Sequence, residues 1–127
     1  MAIKFPPPPK NPLDLNEWAL WYETLWRRVR GLVVTTGDAA ATIGSGETYH
    51  GVTALTAGRI LTLPPANSLQ DGDELIIQDE SGAAGTHTIT ISRAGSDTIN
   101  GSTSVTITSN YGRRRLIKRG SGAWYSA

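Results

Sequence analysis

The pattern of apolar and polar residues changes once along the chain, near residue 31. Before that point, apolar side chains recur every three or four positions, which is the period of an amphipathic helix. Asp14 with Glu17 three residues later matches a capping box at the start of this helix, and Gly31 is the natural stop. The pattern therefore predicts one helix over residues 13–31.

The apolar stripe of this helix is too large for a helix that stands alone in water. Its alternating spacing of three and four is that of a coiled-coil seam, although the run covers only about two and a half heptads. Three alternatives stay open: a seam between sister subunits, docking on a larger assembly, or packing on the remainder of the same chain. The residues of this oligomer seam or docking face are Leu15, Trp18, Trp21, Tyr22, Leu25, Trp26 and Val29.

The first twelve residues form a separate segment because they contain five of the seven prolines. Proline fixes φ and removes a backbone donor, so residues 1–12 are predicted to be an extended arm. Such an arm loses little conformational entropy when it docks on another protein, although a loose tail or spacer is the alternative. The candidate anchoring residues are Phe5, Pro6, Pro7, Pro8 and Pro9.

After Gly31 the pattern becomes one of short strands separated by turn residues, which predicts an all-β module over residues 32–127. His87, Ile89 and Ile91 share one face of a strand predicted over residues 86–92, and Asn100 with Gly101 is typical of a hairpin turn. The other predicted strands are 32–36, 59–63, 74–78, 103–108, 113–118 and 123–126, whereas residues 42–56 show no clear pattern. With no helix between the strands, we expect a mainly β fold: an antiparallel sandwich, barrel or β-prism-like module.

Composition narrows the classes of partner. Twelve Lys and Arg face eleven Asp and Glu, and the net charge of +1 gives no reason to expect a nucleic-acid or membrane partner. No segment approaches the ~20 apolar residues that cross a bilayer, and the proline-rich start does not resemble a secretion signal. Because the chain has no cysteine, its stability must come from packing or from association with other chains.

Residues able to carry chemistry are few. His87 fits a buried structural role, and His50 lies in a predicted loop with no evident partner. Asp71 and Asp73 flank a turn glycine, where carboxylates accept backbone hydrogen bonds, and the spacing matches no calcium loop. We therefore expect no enzyme activity, no cofactor and no metal site.

Two surface features bear on binding. The basic cluster formed by residues 113–115, Lys118 and Arg119 should split its charges between the two faces of a strand, which disfavours nucleic-acid binding. Trp124, Tyr125 and Tyr111 offer an aromatic platform for a glycan, for example on a host surface. The alternative for Trp124, closure of the β core, is the commoner role of a tryptophan in a terminal strand.

Several turn and core motifs occur between Ile60 and Ala127. They are Thr-Leu-Pro-Pro at 62–65, Asp71-Gly72, Leu-Ile-Ile-Gln-Asp at 75–79 before Ser81-Gly82, Ile-Thr-Ile at 89–91, the Gly95-x-Asp97-x-Ile99-x-Gly101 turn and Gly-Ala-Trp-Tyr at 122–125. This set resembles a β module that recurs in bacteriophage head fibres, capsid decoration proteins and tail fibres.

The resemblance implies a non-catalytic virion protein, usually a homotrimer, that is assembled in the host cytoplasm. Its N-terminal segment would attach to the major capsid protein or to a tail or neck protein, with the β module facing outward. Because the module is short, the resemblance favours a capsid decoration protein or short head fibre. A tail fibre, a tail adaptor component and a receptor-binding or glycan-binding module are the alternatives.

Overall fold

The computed structural model of the chain describes residues 31–127 together with Asn16, Trp18 and Ala19, which are helical. The predicted arm, with Phe5 and Pro6 to Pro9, lies outside the described residues. The same holds for the rest of the predicted helix, including its seam residues other than Trp18. Both segments therefore stay predictions.

Strands dominate the described part of the chain, which confirms a mainly β fold. In chain order they are β1 Leu32–Thr36, β2 Ala41–Thr42, β3 Glu47–Val52, β4 Arg59–Thr62, β5 Glu74–Asp79, β6 Ile89–Ser92, β7 Thr98–Ile99, β8 Ser104–Ile107, β9 Arg113–Arg119 and β10 Ala123–Ser126. A single 3-10 turn, Ala66–Ser68, lies between β4 and β5. No helix in these residues is long and apolar enough to span a bilayer.

The ten strands form two sheets. One has six strands in the order β1-β3-β5-β9-β10-β7, and the other has four in the order β2-β4-β6-β8. From β1 to β8, each strand is followed along the chain by a strand of the opposite sheet. The backbone therefore winds back and forth between the sheets.

The prediction of antiparallel sheets was wrong, because both sheets are mixed. β1, β3 and β5 run parallel to one another, as do β2, β4 and β6. A parallel pair needs a crossover connection, which is usually a helix. Here the crossover runs through a strand of the opposite sheet, so the absence of helices between strands did not imply hairpins.

The Asn100-Gly101 turn forms as predicted, but the hairpin does not continue beyond it. Both residues have positive φ, 50° and 78°, as a type I′ turn requires. Ile99 and Ser102 exchange two backbone hydrogen bonds of 2.8 and 2.9 Å. Beyond this pair the strands diverge, because β7 joins the six-stranded sheet and β8 the four-stranded one.

Most predicted strands lie close to their expected positions, with differences in the middle of the chain. β6 begins at Ile89 because the preceding residues form a turn in which the N–H groups of Thr86 and His87 both donate to the Ala83 carbonyl. The prediction that His87 belongs to this strand was therefore wrong. The sequence pattern missed β2 and β7, which have two residues each, and β3, which carries His50 and Gly51 in place of an apolar alternation.

One hydrophobic core joins the two sheets, which shows that they pack face to face. Its largest member is Trp124 of β10, whose exposed fraction is 1%. The buried apolar residues are Ile43, Val52, Leu55, Leu61, Leu63, Ala66, Leu75, Ile77, Ala84, Ile89, Ile91, Ile99, Ile107, Leu116 and Trp124.

The outer face of the four-stranded sheet is mostly hydroxylic. The strand register places Thr42, Thr62, Ser92 and Ser104 in one row across the sheet. Beside them, Thr90 lies between Thr106 and Ile60, and Ile60 is 52% exposed. This face is therefore polar apart from one isoleucine.

Candidate interaction face

The outer face of the six-stranded sheet carries a band of apolar side chains, here called the outer band. Val33 is opposite Tyr49, and Tyr49 is opposite Ile76, across β1, β3 and β5. Ile117 is opposite Tyr125 across β9 and β10. Val33 and Tyr125 are 68% and 54% exposed. Because neighbouring strands lie about 4.8 Å apart, the outer band extends about 19 Å across five strands.

An ion pair crosses the middle of the outer band. Arg115 Nε donates to Glu74 Oε2 over 3.2 Å, and Nη2 donates to Glu74 Oε1. The Glu74 carboxylate raises the pKa of Arg115. Both side chains are about half exposed, so this pair contributes little stability on its own and stays available to a partner.

A second polar group fixes the ring of Tyr49. Its hydroxyl donates to Glu80 Oε2 over 2.7 Å, and burial together with this carboxylate raises the pKa of Tyr49. Glu80 lies across Gly51, where an added Cβ would be 1.7 Å from Oε2. Only glycine at position 51 leaves room for this arrangement.

Asp79, at the end of β5, organises the loops beside the outer band. Its side chain is fully buried. Oδ1 accepts from the Ser81 hydroxyl at 2.5 Å and from the N–H groups of Ser81 and Gly82 at 3.0 and 3.2 Å. Oδ2 accepts from the N–H groups of Ala84 and Tyr111, each at 3.0 Å. Burial raises the pKa of Asp79, but the donors of Ser81, Ala84 and Tyr111 outweigh it and lower the pKa.

The structural interpretation of Asp71 and Asp73 is confirmed. Asp71 Oδ1 accepts from the Gly120 N–H at 2.8 Å and from Lys118 Nζ at 3.1 Å, and Lys118 lowers the pKa of Asp71. Asp73 Oδ2 accepts from the Gln70 N–H at 2.9 Å. Within residues 31–127 and the three helical ones, no group of three or more side chains suited to a metal ion occurs.

His50 is not in a loop and does have partners, so both parts of that prediction were wrong. It lies in β3 and is 2% exposed. Nδ1 is 2.6 Å from Glu47 Oε1, and Nε2 is 2.5 Å from Thr36 Oγ1. Glu47 also accepts the Gly44 N–H at 2.6 Å. Both ring nitrogens of His50 therefore have partners. Because Thr36 belongs to β1, the polar centre formed by Glu47, His50 and Thr36 links β1 to β3.

Glu47→Ala is expected to lower the free energy of unfolding by about 2 kcal/mol, because His50 and the Gly44 N–H lose a buried acceptor. Thr36→Val, which keeps the side-chain shape and removes one hydrogen bond, should cost about half as much. Urea denaturation followed by circular dichroism measures both. Equal costs for the two variants would contradict this account of the centre.

The basic cluster splits between the two faces of β9, as predicted. Arg113 and Arg115 are exposed on the outer face. Arg114 points to the inner side, where Nε donates to the Thr106 carbonyl over 2.9 Å, and Lys118 is 6% exposed beside Asp71. The sheet therefore shows no continuous basic surface along this strand.

The proposed aromatic platform does not form from its three residues. Trp124 lies in the core, whereas Tyr125 is on the outer face of β10. Tyr111 is 68% exposed in the turn before β9, with φ 57°. Neighbouring residues of a strand point to opposite faces, so Trp124 and Tyr125 cannot share a binding surface.

Sequence reasoning missed the outer band. The available signal was a run of consecutive apolar residues, Leu75 to Ile77 and Leu116 with Ile117, in strands that have two faces. When both neighbours are apolar, one of them must point away from the core.

A scan against known protein families found no match, and a search of curated proteins found none either. The motifs of the sequence analysis nevertheless occupy structural positions in the fold. Asp97 accepts the Ala66 N–H at 2.8 Å, Gly101 completes a turn, and Trp124 fills the core.

Proposed function

We propose that the chain is a non-enzymatic structural protein of a bacteriophage virion that works as a homo-oligomer, with a trimer as the favoured state. A capsid decoration protein or a short head fibre fits the size of the β module best. The motif resemblance supports the virion part of the proposal. The observation that carries the oligomer is the outer band, a contiguous group of apolar side chains of which Val33 and Tyr125 are more than half exposed.

Charge and shape make a second copy a suitable partner for the outer band. The exposed pair of Arg115 and Glu74 places both signs of charge within the band. Around a three-fold axis each copy would present these charges to its neighbour, so that Arg115 of one copy could pair with Glu74 of the next. Val33 and Tyr125 would lose most of their exposed area in such a contact.

The outer face of the six-stranded sheet is too small to form a standard stable interface alone. Five strands of about six residues cover roughly 19 by 20 Å, or about 400 Å². A standard stable interface buries about 800 Å² per partner. We therefore assign the remaining contact to the tryptophan-rich segment over residues 13–31.

The arm over residues 1–12 is proposed to attach the oligomer to the virion. Phe5 with Pro6 to Pro9 would lie on the major capsid protein or on a tail or neck protein, as a preorganised extended segment. Residues 32–127 would then face outward.

The test is the mass of the full chain by light scattering, beside a chain lacking residues 1–30. We expect a trimer for the full chain and a weaker, concentration-dependent oligomer for the shortened chain. A full chain that is monomeric at high concentration would refute the oligomer.

Point variants test whether the outer band forms the contact between copies. Val33→Lys combined with Tyr125→Lys should lower the mass of the full chain, because two charges would enter the contact. Ile60→Lys is the matched control, since Ile60 has similar exposure on the opposite sheet. An unchanged mass in the double variant, or an equal loss in the control, would contradict the role of the outer band.

A further inference from the structure

The side chain of Asn100 joins the turn after β7 to the last residue of β10. Its Nδ2 group donates to the Ser126 carbonyl over 3.2 Å, and its Oδ1 accepts the Ser126 N–H at 3.0 Å. The backbone N–H of Asn100 donates to the Trp124 carbonyl over 2.9 Å. The carboxamide thus extends the parallel pairing of β7 with β10, at the point where the backbone turns away. We call these two side-chain hydrogen bonds the Asn100–Ser126 latch.

Asn100 is chemically reactive because Gly101 follows it in the sequence. The Gly101 nitrogen, after losing its proton to water or hydroxide, can attack the carbonyl carbon of the Asn100 side chain. A C–N bond forms, the bond to the side-chain nitrogen breaks, and that nitrogen leaves as ammonia. Water then opens the cyclic succinimide, which yields aspartate or isoaspartate at position 100. Glycine favours the attack because it has no side chain that hinders its nitrogen.

The fold exposes this pair of residues to water but holds the carboxamide away from the attacking nitrogen. Asn100 and Gly101 are both exposed in the type I′ turn, so water and hydroxide reach them. Ring closure requires the carboxamide to leave Ser126 and fold back onto the Gly101 nitrogen. Both hydrogen bonds of the latch must therefore break before the ring can form. The reaction rate then depends on the fraction of molecules in which the latch is open.

Conversion of Asn100 removes the latch permanently. A carboxylate at position 100 has no N–H to donate, so its oxygen would face the Ser126 carbonyl oxygen. In isoaspartate the side-chain CH₂ group becomes part of the main chain, which lengthens a turn that requires positive φ at Asn100 and Gly101. Either product loosens the end of β10, the strand that places Trp124 in the core.

We propose that Asn100 is a site of spontaneous deamidation whose rate is set by the Asn100–Ser126 latch. The β module thus contains a slow, irreversible change that begins only when the end of β10 detaches. Asn110 is a matched comparison, because it is also exposed and its Oδ1 also accepts a backbone N–H, that of Gly85 at 2.9 Å. It is followed by Tyr111, whose side chain hinders the attack. This inference does not depend on a virion function.

Peptide mapping by mass spectrometry tests the proposal in the full chain. The natural chain is incubated at mildly alkaline pH, in buffer and in concentrated guanidinium chloride. Conversion at Asn100 and Asn110 is read in the same digests, from the mass difference between an amide and an acid. We expect conversion at Asn100 to be at least about tenfold slower in buffer, because the latch is open in few folded molecules. In guanidinium chloride, Asn100 should convert much faster than Asn110.

Two results of this experiment would overturn the proposal. Equal rates at Asn100 in buffer and in guanidinium chloride would mean that the fold does not control the reaction. Equal rates at Asn100 and Asn110 in guanidinium chloride would mean that the Asn-Gly pair is not a preferred site.

A variant of Ser126 separates the latch from the rest of the fold. Ser126→Pro removes the N–H that Asn100 Oδ1 accepts. In the folded variant, conversion at Asn100 should be at least about fivefold faster, the equivalent of one lost hydrogen bond. Ser126→Ala keeps the backbone groups of the latch and is the control that should leave the rate unchanged. An unchanged rate in folded Ser126→Pro would assign the protection to the turn alone and refute the role of the latch.

The product of the reaction provides a second test, which also serves if Ser126→Pro does not fold. Asn100→Asp should raise the equilibrium constant for unfolding by about two- to tenfold, because one hydrogen bond to Ser126 is lost. Asn110→Asp keeps the acceptor for the Gly85 N–H and should change the constant little. Denaturation in urea followed by circular dichroism measures both variants. An Asn100→Asp variant as stable as the natural chain would show that conversion does not release β10.

Discussion

Asp79→Ala is expected to destabilise the β module by about 3 to 5 kcal/mol, among the largest effects of a single substitution in this chain. The change leaves four backbone N–H groups, of which one is in a buried and three are in partly buried hydrogen bonds, and one hydroxyl without their acceptor. Denaturation in guanidinium chloride, followed by circular dichroism, measures the loss. Glu80→Ala, one residue further along the chain and exposed, is the control and should cost less than about 1 kcal/mol.

Asp79→Asn separates charge from shape. The amide is close in volume, but its NH₂ group would face N–H donors, so we expect a loss nearly as large as that of alanine. A loss below about 1 kcal/mol would show that the charge of Asp79 contributes little.

The same carboxylate makes stability depend on pH. The pKa of Asp79 in the folded protein is below its ordinary value of 3.8. The stabilisation is therefore complete above the unfolded pKa and is lost as the pH falls through the lower, folded pKa. The difference in unfolding free energy between the natural chain and Asp79→Asn should shrink between pH 6 and pH 2. If this difference did not change with pH, the Asp79 carboxylate would not be a source of the pH dependence of stability.

Trp124→Ala is expected to cost about 3 to 5 kcal/mol, because it removes the largest side chain of the core and leaves a cavity. Tyr125→Ala is the matched comparison on the opposite face of the same strand, and it should change monomer stability by less than about 1 kcal/mol. Thermal unfolding of both variants at one protein concentration measures the contrast.

Association into the oligomer should depend more on Tyr125 than on Trp124. Tyr125→Ala should weaken association in light scattering, whereas a folded Trp124→Phe variant should assemble normally. A Trp124→Ala variant that is as stable as the natural chain would contradict the assignment of the two faces. A Tyr125→Ala variant that is as unstable as Trp124→Ala would contradict it as well.

Short-range signals predicted the elements of this fold better than their pairing. Alternating apolar residues located β6 and β8, and Asn100 with Gly101 located a type I′ turn. Strand direction depends on which sheet each connection enters, and no local pattern contains that information. The parallel pairing of β1, β3 and β5 was therefore beyond the reach of sequence reasoning.

The polar centre formed by Glu47, His50 and Thr36 also depends on strand pairing that no local pattern contains. Glu47 and His50 are three residues apart and point to one centre only because β3 is irregular beside β1, where the register shifts between Leu32 and Val33. Thr36 reaches that centre from another strand. In contrast, the partner of Asp73 is Gln70, three residues earlier in the sequence, and this turn role was predicted correctly.

The winding path of the chain determines where strands could be added to the β module. Among the described strands, β1 and β2 each lie at the edge of a sheet, so the first winding of the backbone forms one edge of both sheets. An inserted segment of one strand per sheet could pair there in parallel, as β3 and β4 pair with the next winding. Whole windings added at this edge would lengthen the module while β9 and β10 stay paired as they are.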